Sequence, residues 1–336
     1  MGGFFLCNVK IKEIEIYHPS NVFDNEFYIN HFKQSKGEDI RHFLEDICGR
    51  KERYVINNTD ENSLTMAVEV SKKVLAKANM SVDEIDMIIF ASQVPEFILP
   101  TNAVALHKAI GAGHHTGILD INSNCSGMTT GLEQASRYLV ANPRINKVLL
   151  VGSDALTLIA DPNDSITYPN FGDCAVALIL EKTDEENVGL VDSIYFTESI
   201  DVDKVTFPKN GLSKNLNGQG VVDYMQWIPF PGNVSITSAT KIIKELVARN
   251  GLATNEVKAY CLSQFSIANI NLLSNNLSVE KEKMIYVGDK YGYTGTTSPL
   301  LAFYKGIEDG RIKRGDTVLF WTVGVGYQLI AVLFKY

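Results

Sequence analysis

The sequence predicts an α/β protein made of two related halves, each a mixed sheet with helices packed on it. Two observations carry this: segments of the first half echo in the second, and the strands read as unbroken Ile/Val/Leu runs that need cover on both faces. The first echo places SLTMAVEVSKKVLAKANMSVDEIDMIIFAS (Ser63 to Ser92) on SITSATKIIKELVARNGLATNEVKAYCLSQ (Ser235 to Gln264) without a gap. Ser63 falls on Ser235, Thr65 on Thr237, Ala67 on Ala239, Lys72 on Lys244, Ala76 on Ala248 and Glu84 on Glu256. Each copy has apolar residues at i, i+3 and i+4, the spacing of an amphipathic helix, followed by an acidic turn and a short buried strand (MIIFAS, AYCLSQ).

The second echo is strand, glycine-containing turn and helix: ILDINSNCSGMTTGLEQASRYL against IYVGDKYGYTGTTSPLLAFYKGIEDG. The third sets VLLVGSDA against TVLFWTVG, each leading to a closing strand, AVALILE and LIAVLFKY. Ordered echoes of this kind mark a duplication, with matching elements facing each other across a pseudo-twofold axis. The halves are read as 1–187 and 188–336. The stretch 188–233 holds Pro208, Gly211, Gly218, Gly220, Pro229, Pro231 and Gly232, and is read as an insertion that caps a site.

With 336 residues, 45% of them hydrophobic and 21% charged, the chain can bury a full core without disulfides or metal. The cysteines (Cys7, Cys48, Cys125, Cys174, Cys261) are odd in number and lack any CxxC pair, which argues against structural zinc and a disulfide framework. A net charge of -8 without a basic block gives no electrostatic footprint for nucleic acid. There is neither a basic, apolar leader nor a bilayer-length apolar run, so a cytoplasmic location is expected. Glycine fragments such as Gly111-Ala112-Gly113 and Gly218-Gln219-Gly220 lack the strand-to-helix setting of a dinucleotide site.

Cys125 lies where the β run GILDI gives way, through Asn122, Ser123 and Asn124, to a helical pattern at Ser126-Gly127-Met128. Free amides and the positive end of a helix dipole favour a thiolate there by up to ~2 kcal/mol, so the thiol is expected to fall from ~8.5 toward ~7. Ser126 and Gly127 leave room for an acyl group; a buried, inert cysteine is the alternative. Cys174 and Cys261 lie in apolar runs and are read as core, and Cys7 and Cys48 as inert.

DINSNCSGMTTGLEQASRYL, VLLVGSDALTLIADPNDSITYPNFGDCAVALIL, GRKERY, YGYTGTTSP and VGVGYQL together resemble the thiolase-superfamily condensing enzymes, most of all β-ketoacyl-acyl carrier protein synthase III. The resemblance runs in order through nearly the whole chain. It implies a five-layered αβαβα fold, a homodimer, and a cysteine, here Cys125, that takes an acyl group from CoA or acyl carrier protein with no cofactor. It further implies an oxyanion hole from the Cys125 amide and a glycine amide of Gly324-Val325-Gly326, taken as Gly326. Asn269 matches the residue that meets the pantetheine arm, and Phe97, Ile98, Leu99 and Pro100 match a loop that reaches the partner subunit's acyl tunnel. For that loop, interior packing is the alternative.

The resemblance also exposes a departure. The family's catalytic His and Asn fall on Ser266, in Ser266-Ile267-Ala268-Asn269, and on Tyr293, in Gly292-Tyr293-Thr294. All 6 histidines precede residue 116, so no shift of alignment restores one. Losing an oxyanion donor costs ~2.7 to 4 kcal/mol and losing an acid/base partner ~10²- to 10⁴-fold in rate. Decarboxylative condensation is therefore in doubt, whereas acylation of Cys125 is not. The leading expectation is a synthase III-like acyltransferase that passes an acyl group from Cys125 to an oxygen, nitrogen or carbon nucleophile. The alternatives are a noncatalytic subunit of a condensing-enzyme heterodimer, or ketoacyl synthesis with Ser266 and Tyr293 as replacement donors. The positions of the family's CoA-holding Trp and Arg residues fall near Phe43, Ile47 and Asn271, which favours a carrier-protein donor. Arg311, Lys313 and Arg314 are read first as a solvated turn and second as a carrier-docking cluster.

Overall fold

A computed structural model describes residues 9–219, 224–230 and 232–336; Cys7, Gly220 and Pro231 lie outside the described residues. The first half supplies strands β1 (Val9–Tyr17), β2 (Met87–Ala91), β3 (Gly117–Ile121), β4 (Lys147–Asp154) and β5 (Cys174–Lys182). The second supplies β6 (Gly189–Thr197), β7 (Ala259–Leu262), β8 (Thr317–Gly324) and β9 (Gln328–Lys335). The larger helices are α1 (Asn25–Lys36), α2 (Ser63–Lys77), α3 (Asn102–Ile110), α4 (Gly127–Ala141), α5 (Asn233–Arg249), α6 (Ile267–Leu277) and α7 (Ser298–Glu308).

The sheets repeat the same plan. The first has the order β1-β5-β4-β2-β3 and the second the order β6-β9-β8-β7. In both, the pair nearest the echo strand is parallel (β4 with β2, β8 with β7) and the closing strands run antiparallel. Helix α4 packs on strands of both sheets and α7 lies beside it, so these two form the middle layer. Helices α2 and α3 cover the outer face of the first sheet, and α5 and α6 that of the second. The architecture is the five-layered, mixed-sheet arrangement expected.

Local chemistry explains the helix starts. Asn62 caps α2, accepting from the Leu64 and Thr65 amides while Thr65 returns a bond to the Asn62 amide. Pro299 stands in the first turn of α7, where no amide donor is missed. The middle layer is filled by large apolar groups; Phe303 and Phe320, both fully buried, meet edge to face at 5.2 Å.

Two expectations are corrected. Residues 189–197 are not part of an insertion: GLVDSIYFT pairs antiparallel along β9 and forms the edge of the second sheet, so the cap begins after Thr197. And the second echo has no strand at Ile285 to Gly288, which leaves that sheet one strand shorter. Side chains take the backbone groups a neighbouring strand would have used: Gln264 Oε1 accepts from the Val287 amide at 2.9 Å, and Arg50 Nη1 donates to the Gly288 carbonyl at 2.9 Å.

Emptying the middle layer is expected to be costly. Phe320→Ala should lower the unfolding free energy by about 3–5 kcal/mol, whereas Leu99→Ala, on a residue 89% exposed, should change it by under about 0.5 kcal/mol in a denaturant titration.

Candidate active site

Strand β3 ends at Ile121, and the chain turns sharply through Asn124, whose φ of 52° is left-handed, before α4 begins at Gly127. This turn carries Cys125 to the middle of the molecule. It is held from the other half: Thr322 Oγ1 donates to the Cys125 carbonyl at 3.3 Å, and Asn124 Nδ2 donates to Gln328 Oε1 at 3.2 Å. Gly324 must be small, because a Cβ there would lie 2.9 Å from Asn124 Cβ. Ser126 gives α4 no side-chain cap; the cap comes from Thr296, in the second half, whose Oγ1 accepts from the Met128 amide at 2.7 Å.

Asp154, at the end of β4, is fully buried and organises what surrounds the thiol. One carboxylate oxygen accepts from Ser92 Oγ (3.0 Å) and the Gln93 amide (2.9 Å), and the other from Gln93 Nε2 (2.9 Å) and the Thr296 amide (2.8 Å). Gln93 thereby has its side chain fixed, with Oε1 and Nε2 each 3.5 Å from Cys125 Sγ. Gly295 is required at the same place: its φ is 63°, and a Cβ would stand 2.3 Å from Asp154 Oδ2.

Tyr293 enters from the loop before α7. Its amide donates to the Asn170 carbonyl at 2.9 Å and its carbonyl accepts from Gly172 at 3.1 Å, with the ring edge-on to Phe265 at 5.2 Å. The preceding Gly292 has φ 72°, and a Cβ there would meet Arg53 Cβ at 2.9 Å. The phenol interacts with both the Cys125 thiol and the Ser263 hydroxyl. Burial holds it well above the usual tyrosine range, so it stays a neutral donor.

Ser266 is used differently. Its Oγ donates to the Ile47 carbonyl at 2.7 Å and accepts from the Asn269 amide at 3.4 Å, which makes it the N-cap of α6. Its single proton is therefore spent within the protein. The turn just before it is fixed by Arg50, a fully buried guanidinium that donates to the Gln264 carbonyl (2.8 Å) and the Phe265 carbonyl (2.9 Å).

A cavity of about 290 Å³ opens on these groups. Cys125, Ser266, Asn269, Tyr293 and Gly326 all line it. The cap contributes Val205, Met225 and Trp227, the last stacked on Phe265 at 5.5 Å. Phe97 and Leu99 do not line it. They stand 44% and 89% exposed on a loop beside β3, which corrects the reading of interior packing. The loop is anchored through Asn102, whose Nδ2 donates to the Phe97 carbonyl at 2.8 Å. Cys174 and Cys261 are core residues and Cys48 is fully buried. Arg311 and Arg314 spend their guanidinium groups on backbone carbonyls, and Arg314 also lies over the Tyr336 ring at 4.1 Å. No cluster of three His, Cys, Asp or Glu suited to a metal ion occurs among the described residues.

The thiol departs from expectation. Burial pushes Cys125 up to about 11, and the buried Asp154 carboxylate adds to the rise; hydrogen bonds from Tyr293 and Gln93 pull only partly the other way. The helix start gives little relief because the Met128 amide is already engaged by Thr296.

The description "3-oxoacyl-[acyl-carrier-protein (ACP)] synthase III" matches residues 119–199, and that of its C-terminal part residues 247–336, together just over half of the chain. The chain belongs to this family of thiolase-superfamily condensing enzymes. The β-ketoacyl-[acyl-carrier-protein] synthase III of Rickettsia rickettsii (strain Sheila Smith) is 28% identical over 311 residues, covering 92% of this chain and 94% of the relative. That of Coxiella burnetii (strain RSA 493 / Nine Mile phase I) is 29% identical over 287 residues, covering 85% and 88%. The crystal structure of 3-oxoacyl-[acyl-carrier-protein] synthase III from Aquifex aeolicus VF5 superposes with a TM-score of 0.85 at 25% identity, covering 98% of this chain and all of that one.

In this synthase III family member, Gln93, Asp154 and Thr296 are site residues that sequence reasoning passed over. The visible signal was Asp154 itself, a lone acid ending an otherwise apolar strand run. The raised thiol gives a pH-dependent outcome. Alkylation of Cys125 by iodoacetamide should climb about tenfold per pH unit from pH 7 to 9, without the plateau near 7 that an activated thiolate would give; peptide mapping of the modified cysteine checks it.

Proposed function

We propose that this chain is an acyltransferase of the synthase III type: it takes an acyl group from a carrier-protein or CoA thioester onto Cys125 and passes it to a nucleophile that brings its own activation. The observation that carries this reading is the division of labour at the two departing positions. The Tyr293 phenol stands against the thiol, and the Ser266 hydroxyl is committed to Ile47 and to α6.

In the first half-reaction Cys125 Sγ attacks the thioester carbonyl. The new S–C bond forms, the donor's S–C bond breaks, and the donor thiol leaves with the proton. The Cys125 and Gly326 amides are the proposed oxyanion donors, and the neutral Tyr293 hydroxyl donates to the sulfur as charge develops on it. Gln93, clamped by Asp154, keeps the thiol oriented. Among the described residues no Lys or Arg lines the cavity and Asp201 is the one charged group, so none of these side chains would hold nucleotide phosphates. This favours a carrier-protein donor, with Asn269 meeting the pantetheine arm. In the second half-reaction one donor, Tyr293, stands where the family deploys two. That is too little to stabilise the enolate left when carbon dioxide departs, but enough for attack by an incoming oxygen, nitrogen or preformed carbon nucleophile.

A homodimer is proposed through the edge of the first sheet. There β3 carries the partly exposed Ile118 and Leu119, and Phe97, Ile98 and Leu99 stand free beside it. Such an apolar edge invites pairing with a second copy.

Two outcomes test these readings. Intact-mass measurement after incubation with acyl-carrier proteins should show one acyl adduct per chain, abolished by Cys125→Ala and slowed about tenfold or more by Tyr293→Phe. Ser266→Ala should keep the adduct while costing about 1 kcal/mol of stability as a lost cap. No adduct from any donor would leave the noncatalytic partner-subunit reading in its place. Leu99→Asp should convert a dimer to a monomer in light scattering; an unchanged mass would move the interface elsewhere.

A further inference from the structure

The cavity beside Cys125 is apolar along most of its wall, yet two polar groups in that wall are left without a hydrogen bond. Trp321 Nε1 and Ser263 Oγ are buried, their residues 2% and 6% exposed, and neither has a hydrogen-bond partner among the described residues. They are neighbours: β7 and β8 run parallel with Leu262 opposite Trp321, and the Ser263 amide donates to the Trp321 carbonyl at 2.9 Å. Two unsatisfied groups on adjacent strands, facing one cavity, are an expensive arrangement for a wall meant only to receive a hydrocarbon chain. Phe and Ala would line the same space without the cost.

Tyr293 relates this pair to the reacting sulfur, since it lines the same cavity and its hydroxyl lies near both Cys125 and Ser263. Charge narrows the choice further. With Asp201 the one charged side chain in the lining among the described residues, a carboxylate end would be repelled and a neutral oxygen accepted.

On the acyl-transfer reading above, we infer that the group loaded on Cys125 is an oxygenated acyl chain, with a hydroxyl or oxo oxygen near its thioester end that accepts from Trp321 Nε1 and exchanges a hydrogen bond with Ser263 Oγ. Loading is the same thioester exchange, with the donor thiol leaving protonated. The two residues set specificity and leave the bond-making atoms untouched. A pantetheine amide carbonyl offers similar acceptor chemistry, and the test separates it from the acyl oxygen.

The experiment compares the second-order rate of Cys125 adduct formation, read by intact mass, for 3-hydroxybutyryl- and butyryl-N-acetylcysteamine. The wild type should favour the hydroxylated donor by about tenfold or more, equivalent to ~1.4 kcal/mol. Trp321→Phe should bring the ratio to within about twofold by slowing the hydroxylated donor alone, and Ser263→Ala, a small change that spares the tryptophan, should lower the ratio as well. A wild-type ratio near one would overturn the inference. So would equal slowing of both donors by Trp321→Phe, which would assign the contact to the arm they share. An adduct without discrimination defeats this inference alone, whereas no adduct with either donor defeats the acyl-transfer reading beneath it.

Discussion

Everything near the nucleophile depends on one buried carboxylate. Among the described residues Asp154 has no cation in salt-bridge contact; it is balanced by a hydroxyl, a side-chain amide and two backbone amides drawn from both halves of the chain. Four donors aimed at two oxygens make up part of the solvation a buried carboxylate loses, and each then becomes hard to move. That rigidity is passed on twice. Through Gln93 it reaches the thiol, and through Thr296 it reaches the first turn of α4. The same residue therefore joins the two halves and positions the group that reacts.

The price of this arrangement is a sulfur that is not a ready nucleophile at rest. A half-buried thiol beside a buried carboxylate is raised, and the first turn of the helix that follows it already has its Met128 amide engaged by Thr296. Ser266 serves as the N-cap of α6, and the Tyr293 phenol lies near the thiol.

The cap and the outer helices complete the picture. Trp227 stacked on Phe265, and Arg50 holding the Phe265 carbonyl, tie the roof of the cavity to the loop that carries Ser266. Arg50 also donates to the Gly288 and Gln264 carbonyls beside the edge of the second sheet.

The sequence by itself determined the duplicated plan and the strand-to-helix turn at Cys125, because these are local: apolar period and turn chemistry. It read 188–197 as part of the cap, since GLVDSIYFT declares itself a strand only when β9 lies alongside. Thiol acidity, the idle proton of Ser266, the partnership of Asp154 with Gln93 and Thr296, and the exposure of Phe97 and Leu99 were decided by tertiary structure alone. Each depends on groups brought together from distant parts of the chain, and burial, dielectric and hydrogen-bond partnership belong to that assembly, not to any stretch of residues read in order.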